Sequence, residues 1–280
     1  NGTRLYVSTE YNNVVRVINT ATNTLITNIS VGSYPRGIAV TPNGDYVYVA
    51  NHNSNTVSKI STTTNTVVGT INLPNSSYPI GLTITPDGSK VVVANYSGAS
   101  VSVINTANDT VTATISIGRN PWNVKVSPDG QTAYTANVNH NTMSVINLVN
   151  NSLTTHVTVG SSPYELGINR AGTRVYVSNY SSGSVSVINT SNNTVVQTIL
   201  GFSGPMGIVT SVDDETVYVM NYSTYQVKWF NASTYAVNAG SIATGTYPRG
   251  VSMSPDGSKG YVSNEGSTNF TVFNAQSQVQ

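Results

Sequence analysis

A pattern that returns about every 42 residues constrains this chain more than any other feature. It is anchored by Pro35, Pro79, Pro121, Pro163, Pro205 and Pro248, whose successive separations are 44, 42, 42, 42 and 43 residues. A fixed period of this size, built from strand-like segments, marks a repeat architecture in which each unit buries its apolar faces against its neighbours. The repeat runs nearly end to end through 280 residues, so the expected organisation is one repeat domain over residues 1–280.

The copy that begins at Pro79 shows what one unit contains. Gly81 to Thr85 alternates apolar and polar residues and stops at Pro86-Asp87-Gly88, where Pro presets φ, Asp can bond its own backbone and Gly accepts positive φ. Lys90 to Ala94 is almost wholly apolar, as expected of a strand covered on both faces. Ser100 to Ile104 alternates again, and Val111 to Ile115 supplies a fourth strand. Nothing reads as a helix. Four short antiparallel strands per unit make one blade, and radial packing of such sheets makes a propeller.

The second strand recurs seven times, beginning near Arg4, Tyr46, Lys90, Thr132, Arg174, Thr216 and Lys259. The third also recurs seven times, whereas the first and the fourth recur six times. The expected fold is therefore an all-β, seven-bladed propeller of four-stranded antiparallel blades, with the first and last blades incomplete within the chain. Such incomplete blades have two readings, chain ends that are cropped or disordered and open edges completed by a strand from a neighbouring subunit; on the second, self-association is expected.

Tyr48-Val49-Ala50-Asn51, Tyr176-Val177-Ser178-Asn179, Tyr218-Val219-Met220-Asn221 and Tyr261-Val262-Ser263-Asn264 resemble the Tyr-Val-Thr-Asn signature of the YVTN β-propeller repeat family. The flanking Ser-Pro-Asp-Gly and Val-Ser-Val-Ile-Asn-Thr segments agree with it, and the resemblance covers essentially the whole chain. It implies a seven-bladed propeller and a setting such as an archaeal surface layer. It implies little about activity, because propellers host unrelated functions.

Composition narrows the partners. Charged residues make up 8% of the chain, against about 25% in an ordinary soluble domain. Asn, Ser and Thr must therefore cover the surface, and a net charge of +1 gives nucleic acid or an anionic membrane nothing to pull on. No apolar run reaches the roughly 18 residues of a membrane-spanning helix. A cysteine-free, hydroxyl- and amide-rich chain fits the cell exterior or cell surface, and so little charge lets like copies pack densely.

Strand direction alternates, so the Pro-Asp-Gly turns share one rim and the loops before each anchoring proline share the other. The second rim gathers the candidate ligand-binding residues Tyr34, Arg36, Tyr78, Arg119, Trp122, Tyr164, Tyr247 and Arg249, with His52, Tyr96, His140, Tyr180 and Tyr222 nearby. Aromatic rings and guanidinium groups there can stack a sugar ring or hold a carboxylate. The same Tyr-Pro pairs can equally serve blade-to-blade packing, and both readings stand. His52 and His140 lie in equivalent loops two blades apart and His156 on an outer strand, too dispersed for a zinc site. Glu10, Glu165 and Glu265 are the carboxylates expected on this rim, too few for a legible acid–base pair. No catalytic residue, metal or cofactor is expected. Asn-x-Ser/Thr acceptors for glycans begin at Asn28, Asn75, Asn95, Asn108, Asn150, Asn179, Asn189, Asn192, Asn221, Asn231 and Asn269, in a composition that produces many by chance. The leading expectation is a non-enzymatic structural or adhesive surface protein. A carbohydrate- or peptide-binding propeller comes second, and a propeller lyase or lactonase third.

Overall fold

The computed structural model describes residues 2–74 and 77–276. The fold is an all-β, seven-bladed propeller of antiparallel sheets, five with four strands and the first and last with three. Sheet one holds β1 (Arg4–Thr9), β2 (Val14–Asn19) and β3 (Thr24–Ser30). Sheet two holds β4 (Pro35–Val40), β5 (Tyr46–Asn51), β6 (Thr56–Ser61) and β7 (Thr66–Asn72). Sheet three holds β8 (Pro79–Ile84), β9 (Lys90–Asn95), β10 (Ser100–Asn105) and β11 (Thr110–Ser116). Sheet four holds β12 (Pro121–Val126), β13 (Thr132–Asn137), β14 (Thr142–Asn147) and β15 (Ser152–Thr158). Sheet five holds β16 (Pro163–Ile168), β17 (Arg174–Asn179), β18 (Ser184–Asn189) and β19 (Thr194–Leu200). Sheet six holds β20 (Pro205–Thr210), β21 (Thr216–Asn221), β22 (Gln226–Asn231) and β23 (Ile242–Ala243). Sheet seven holds β24 (Pro248–Met253), β25 (Lys259–Asn264) and β26 (Phe270–Asn274).

Every anchoring proline opens the first strand of its sheet, a place where the missing N–H breaks no ladder. The helical content among the described residues is one short 3-10 turn, Glu10–Asn12, where no helix was expected, and no helix is long and apolar enough to cross a membrane. Sheet six also departs from expectation, because its fourth strand shrinks to Ile242–Ala243 plus one isolated bridge, Phe230 to Val237. Trp229 stands in β22 where β10, β14 and β18 carry Val103, Val145 and Val187. The chain passing this larger ring loops out, with Gly240 so close that a Cβ would lie 3.2 Å from the indole.

The chain divides into two compact units, residues 1–135 with 144–155 and residues 136–143 with 156–280. In the first unit Val15, Val17 and Ile29 pack on Val47, Val49 and Ile60, while Tyr48, Ala50 and Val57 pack on Leu82, Val91 and Val93. Val47 to Ala50 of β5 thus face opposite neighbours in alternation, and all four are buried. That is why the second strand of each unit reads as an unbroken apolar run. In the second unit Tyr176, Val185 and Val187 pack on Ile208, Val217 and Phe230, and Tyr218, Met220 and Trp229 pack on Val262 and Phe273. Each fully buried Val or Ile contributes on the order of 1.5–3 kcal/mol, so these interleaved layers carry most of the stability.

The Pro-Asp-Gly turns close through their own side chains. Gly88 at φ +73° donates its N–H to Thr85 O at 2.8 Å, and Asp87 accepts from the Thr85 hydroxyl at 2.5 Å and the Ser89 N–H at 3.0 Å. Ser127 with Asp129 and Ser254 with Asp256 repeat the arrangement at 2.5 Å each. These bonds favour the carboxylate, and the Thr85 hydroxyl most of all holds Asp87 down at about 2.

Candidate functional site

The loop before five of the six anchoring prolines is a tight turn with a common backbone frame; the exception precedes Pro121, where the Asn120 side chain donates to Tyr96 O at 2.9 Å instead. The carbonyls of Tyr34, Tyr78, Ser162, Gly204 and Tyr247 accept the N–H of His52, Tyr96, Tyr180, Tyr222 and Glu265 at 2.9–3.2 Å. All five of these carbonyl-bearing residues before proline lie in the left-handed region, with φ of +60°, +46°, +53°, +58° and +55°. Neighbouring hairpins fix them: Asn13, Asn55 and Asn141 accept the N–H of Tyr34, Tyr78 and Ser162 at 2.8, 2.8 and 3.0 Å. Glycine takes such a φ freely, whereas a bulky residue there is an outlier.

In the first unit these turns bring rings together. Tyr11 meets Tyr34 edge-on at 5.6 Å, Tyr34 lies 6.0 Å from the His52 ring, and His52 lies 5.3 Å from Tyr78. The Arg36 guanidinium sits 5.1 Å above Tyr34 and 5.3 Å from Trp122, and Trp122 meets Tyr96 edge-on at 5.8 Å. Glu10 Oε1 lies 3.3 Å from Arg36 Nε, close enough to pair the charges although not aligned as a hydrogen bond. His52 Nδ1 lies 3.3 Å from Pro79 O, which can only accept, so this nitrogen carries the proton and Nε2 keeps a lone pair. Burial first, and then the Arg36 charge, push the imidazole below its ordinary range, which favours that neutral form. Arg119, in the loop between β11 and β12, is half-buried.

The second unit carries its own row. Tyr164 meets Tyr180 at 5.6 Å, Tyr180 meets Tyr222 at 6.0 Å, Tyr222 stacks on Tyr247 at 4.9 Å, and Tyr225 meets Tyr247 edge-on at 5.2 Å. Arg249 pairs with Glu265 at 3.3 Å. The structure therefore groups Tyr34, Arg36, Tyr78 and Trp122 in one unit and Tyr164, Tyr247 and Arg249 in the other. Tyr11, Tyr225 and the pairing of Arg36 with Glu10 and of Arg249 with Glu265 were not foreseen. Among the described residues no group of three or more His, Asp or Glu could hold a metal.

The opposite rim of the first unit holds a feature that sequence reading missed. Lys59 Nζ lies 3.0 Å from both carboxylate oxygens of Asp109 and 4.3 Å from the Tyr46 ring centre, and Tyr48 donates its hydroxyl to Asp109 at 3.1 Å. Burial, reinforced by Asp109, holds the Tyr48 phenol well above its usual range. A cavity of about 350 Å³ opens beside it, lined by Thr41, Asn43, Tyr46, Tyr48, Asp87 and Thr106 among others. The signal was present in the repeat: Lys59 occupies the place of Val103 and Val187, and Asp109 that of Asn65 and Asn193.

The acceptor asparagines divide by burial. Asn95 and Asn179 are fully buried, and each donates its side-chain amide to two serine hydroxyls of the next strand. Asn221 is equally buried and accepts the Ser203 N–H at 3.0 Å. These three were expected among the glycan acceptors, and their burial takes them off that list. Gly160 shows how tightly they pack, since a Cβ there would come within 2.6 Å of the Asn179 amide. Asn28, Asn108, Asn150, Asn192, Asn231 and Asn269 are exposed, Asn189 is half-buried, and Asn75 lies outside the described residues. At Asn108, Asn150 and Asn192 the side-chain oxygen accepts the hydroxyl two residues on at 2.7–2.8 Å. Thr22 with Thr24 and Thr64 with Thr66 make the same contact, so the turn uses a polar side chain two residues before a Ser or Thr and does not require Asn there.

Sheets, strand order and rim loops define a seven-bladed β-propeller. Residues 3–165 match the model of the choice-of-anchor I domain, more than half of the chain, and the chain belongs to that family. Its fold is similar to a chain of the Kuenenia stuttgartiensis hydrazine synthase structure, with 21% identity and a TM-score of 0.87 over 98% of this chain and 92% of that one. It is also similar to a functionally unknown protein from Desulfotomaculum acetoxidans, with 19% identity and a TM-score of 0.85 over 97% and 92% of the two chains. At such identities the likeness is one of fold. No curated protein matches the sequence.

Proposed function

We propose that this chain is a non-enzymatic cell-surface protein, a rigid propeller that packs side by side with like copies in a layer, sheath or filament. The observation that carries the reading is the outermost strand of each of the first five sheets. β3, β7, β11, β15 and β19 contain no Asp, Glu, Lys or Arg. Sheet edges normally carry charges or prolines that repel another strand, and these edges carry neither. Leu25, Val68, Val196 and Leu200 are exposed on them, and the low net charge leaves little repulsion between copies. The family's description as a choice of anchor and the likeness to YVTN surface-layer propellers support an extracellular, archaeal-type setting. The exposed acceptor asparagines would suit a glycoprotein. The rim carboxylates Glu10 and Glu265 are each tied to an arginine, which argues against a free acid–base pair.

Sedimentation over a wide concentration range tests the proposal. Association that grows with concentration, and is abolished by Val68→Lys together with Val196→Lys, is the expected result. A monomer at the highest concentration overturns it.

A second reading has its own support. The aromatic rows of the proline rim suit a ligand-binding propeller that takes a carbohydrate or peptide, and tyrosines held at left-handed φ favour it.

A further inference from the structure

The turn before the anchoring proline does not need an aromatic residue. Gly204 and Ser162 occupy that position with the same left-handed φ, and their carbonyls accept the same loop N–H as those of Tyr34 and Tyr78. A bulky side chain there costs on the order of 1 kcal/mol in backbone strain that Gly204 avoids. Nor do the exposed rings repay it by filling a core: Tyr78 is 39% exposed and Tyr247 41%, while Tyr34 is half-buried. Observed strain at exposed positions, where the fold accepts glycine, points to what the side chains meet outside the protein.

Tyr34 and Tyr78 flank His52, with ring centres 6.0 and 5.3 Å from the imidazole. Its Nε2 is a hydrogen-bond acceptor, because Nδ1 faces Pro79 O at 3.3 Å. The charge beside these rings is neutralised, since Arg36 lies 3.3 Å from Glu10 and covers Tyr34. Aromatic rings beside an acceptor, with no net charge, suit a molecule with apolar ring faces and hydroxyl donors. They offer an anion no advantage. Resting on the ligand-binding reading of this rim, we propose that Tyr34, His52 and Tyr78 form a binding site for an uncharged saccharide. The rings stack its pyranose faces, and His52 accepts one of its hydroxyls.

The test titrates the intact protein with maltohexaose, cellohexaose and chitohexaose, and with hexagalacturonate as the acidic counterpart, by calorimetry. Tyr34→Gly and Tyr78→Ser install residues that the same turn accepts in other blades. Saturable binding of a neutral hexasaccharide is expected, weakened by about tenfold or more in each variant, with a melting temperature unchanged or raised. Preference for hexagalacturonate, lost in both variants, would overturn the uncharged-saccharide assignment while leaving a ligand site on the rim. Neutral saccharide binding unaffected by both variants would place the site elsewhere and overturn the assignment. No binding by any probe at millimolar concentration, with melting temperatures lowered in both variants, would assign the rings to packing and overturn both readings.

Discussion

On the Pro-Asp-Gly rim of the first unit, Thr85, Asp87 and Ser89 are themselves the hydrogen-bond partners that close the turn. On the proline rim, the turn at Tyr34 or Tyr78 is closed by backbone atoms and by an asparagine from the preceding hairpin. The repeat is conserved in one place and drifts in the other for this reason. Where side chains make the turn, Asp87, Asp129, Asp213 and Asp256 recur at the same position, with Asn43 and Ala171 in the other two. Where the backbone makes it, Tyr, Ser and Gly interchange, and the side chain is released for another role. Lys59 and Asp109 are the exception on the first rim. They replace a valine and an asparagine of the repeat together.

The exception gives the largest expected effect. Lys59→Val restores the repeat's residue yet strands the Asp109 carboxylate, and it should lower stability by about 2 kcal/mol in urea denaturation. Adding Asp109→Asn, the residue of the other turns, should recover most of that loss. If the double variant is as unstable as the single, the pair is not a coupled substitution within the repeat.

Removing a turn side chain comes next. Asp87→Ala should lower stability by about 1 kcal/mol at neutral pH through loss of its turn bonds. It should also change the acid limb. The Asp87 carboxyl lies near 2, below its ordinary 3.8, so its contribution is present above about pH 4 and is lost as pH falls toward 2. Thermal melts between pH 5 and pH 2 should therefore fall less steeply for the variant than for the parent protein. Equal slopes would mean that the carboxylate does not sense its turn.

The smallest effect belongs to the proline rim. Tyr78→Ser should change stability by no more than about 0.5 kcal/mol, because the frame around Ser162 is the same. A loss as large as that of Asp87→Ala would erase the difference between the rims.

Much of this was legible beforehand. The period placed every anchoring proline at a strand start, and the apolar run of Lys90 to Ala94 correctly announced a strand covered on both faces. The short fourth strand of sheet six was not legible, because it depends on where the Trp229 ring goes. Asn95 and Asn108 begin equally good acceptor triplets. Only packing shows that one is buried against serines and the other exposed at a turn.

The sequence by itself determined the strands, their order within each sheet and the number of blades. These follow from alternation, turn chemistry and a repeat, all of which act over a few residues. Tertiary structure alone decided that Tyr11 meets Tyr34 and His52 meets Tyr78, that Arg36 is neutralised by Glu10, and that Lys59 meets Asp109. Those contacts join neighbouring blades, so their partners lie tens of residues apart in the chain. The direction of a side chain across such a gap is set by packing rather than by local pattern.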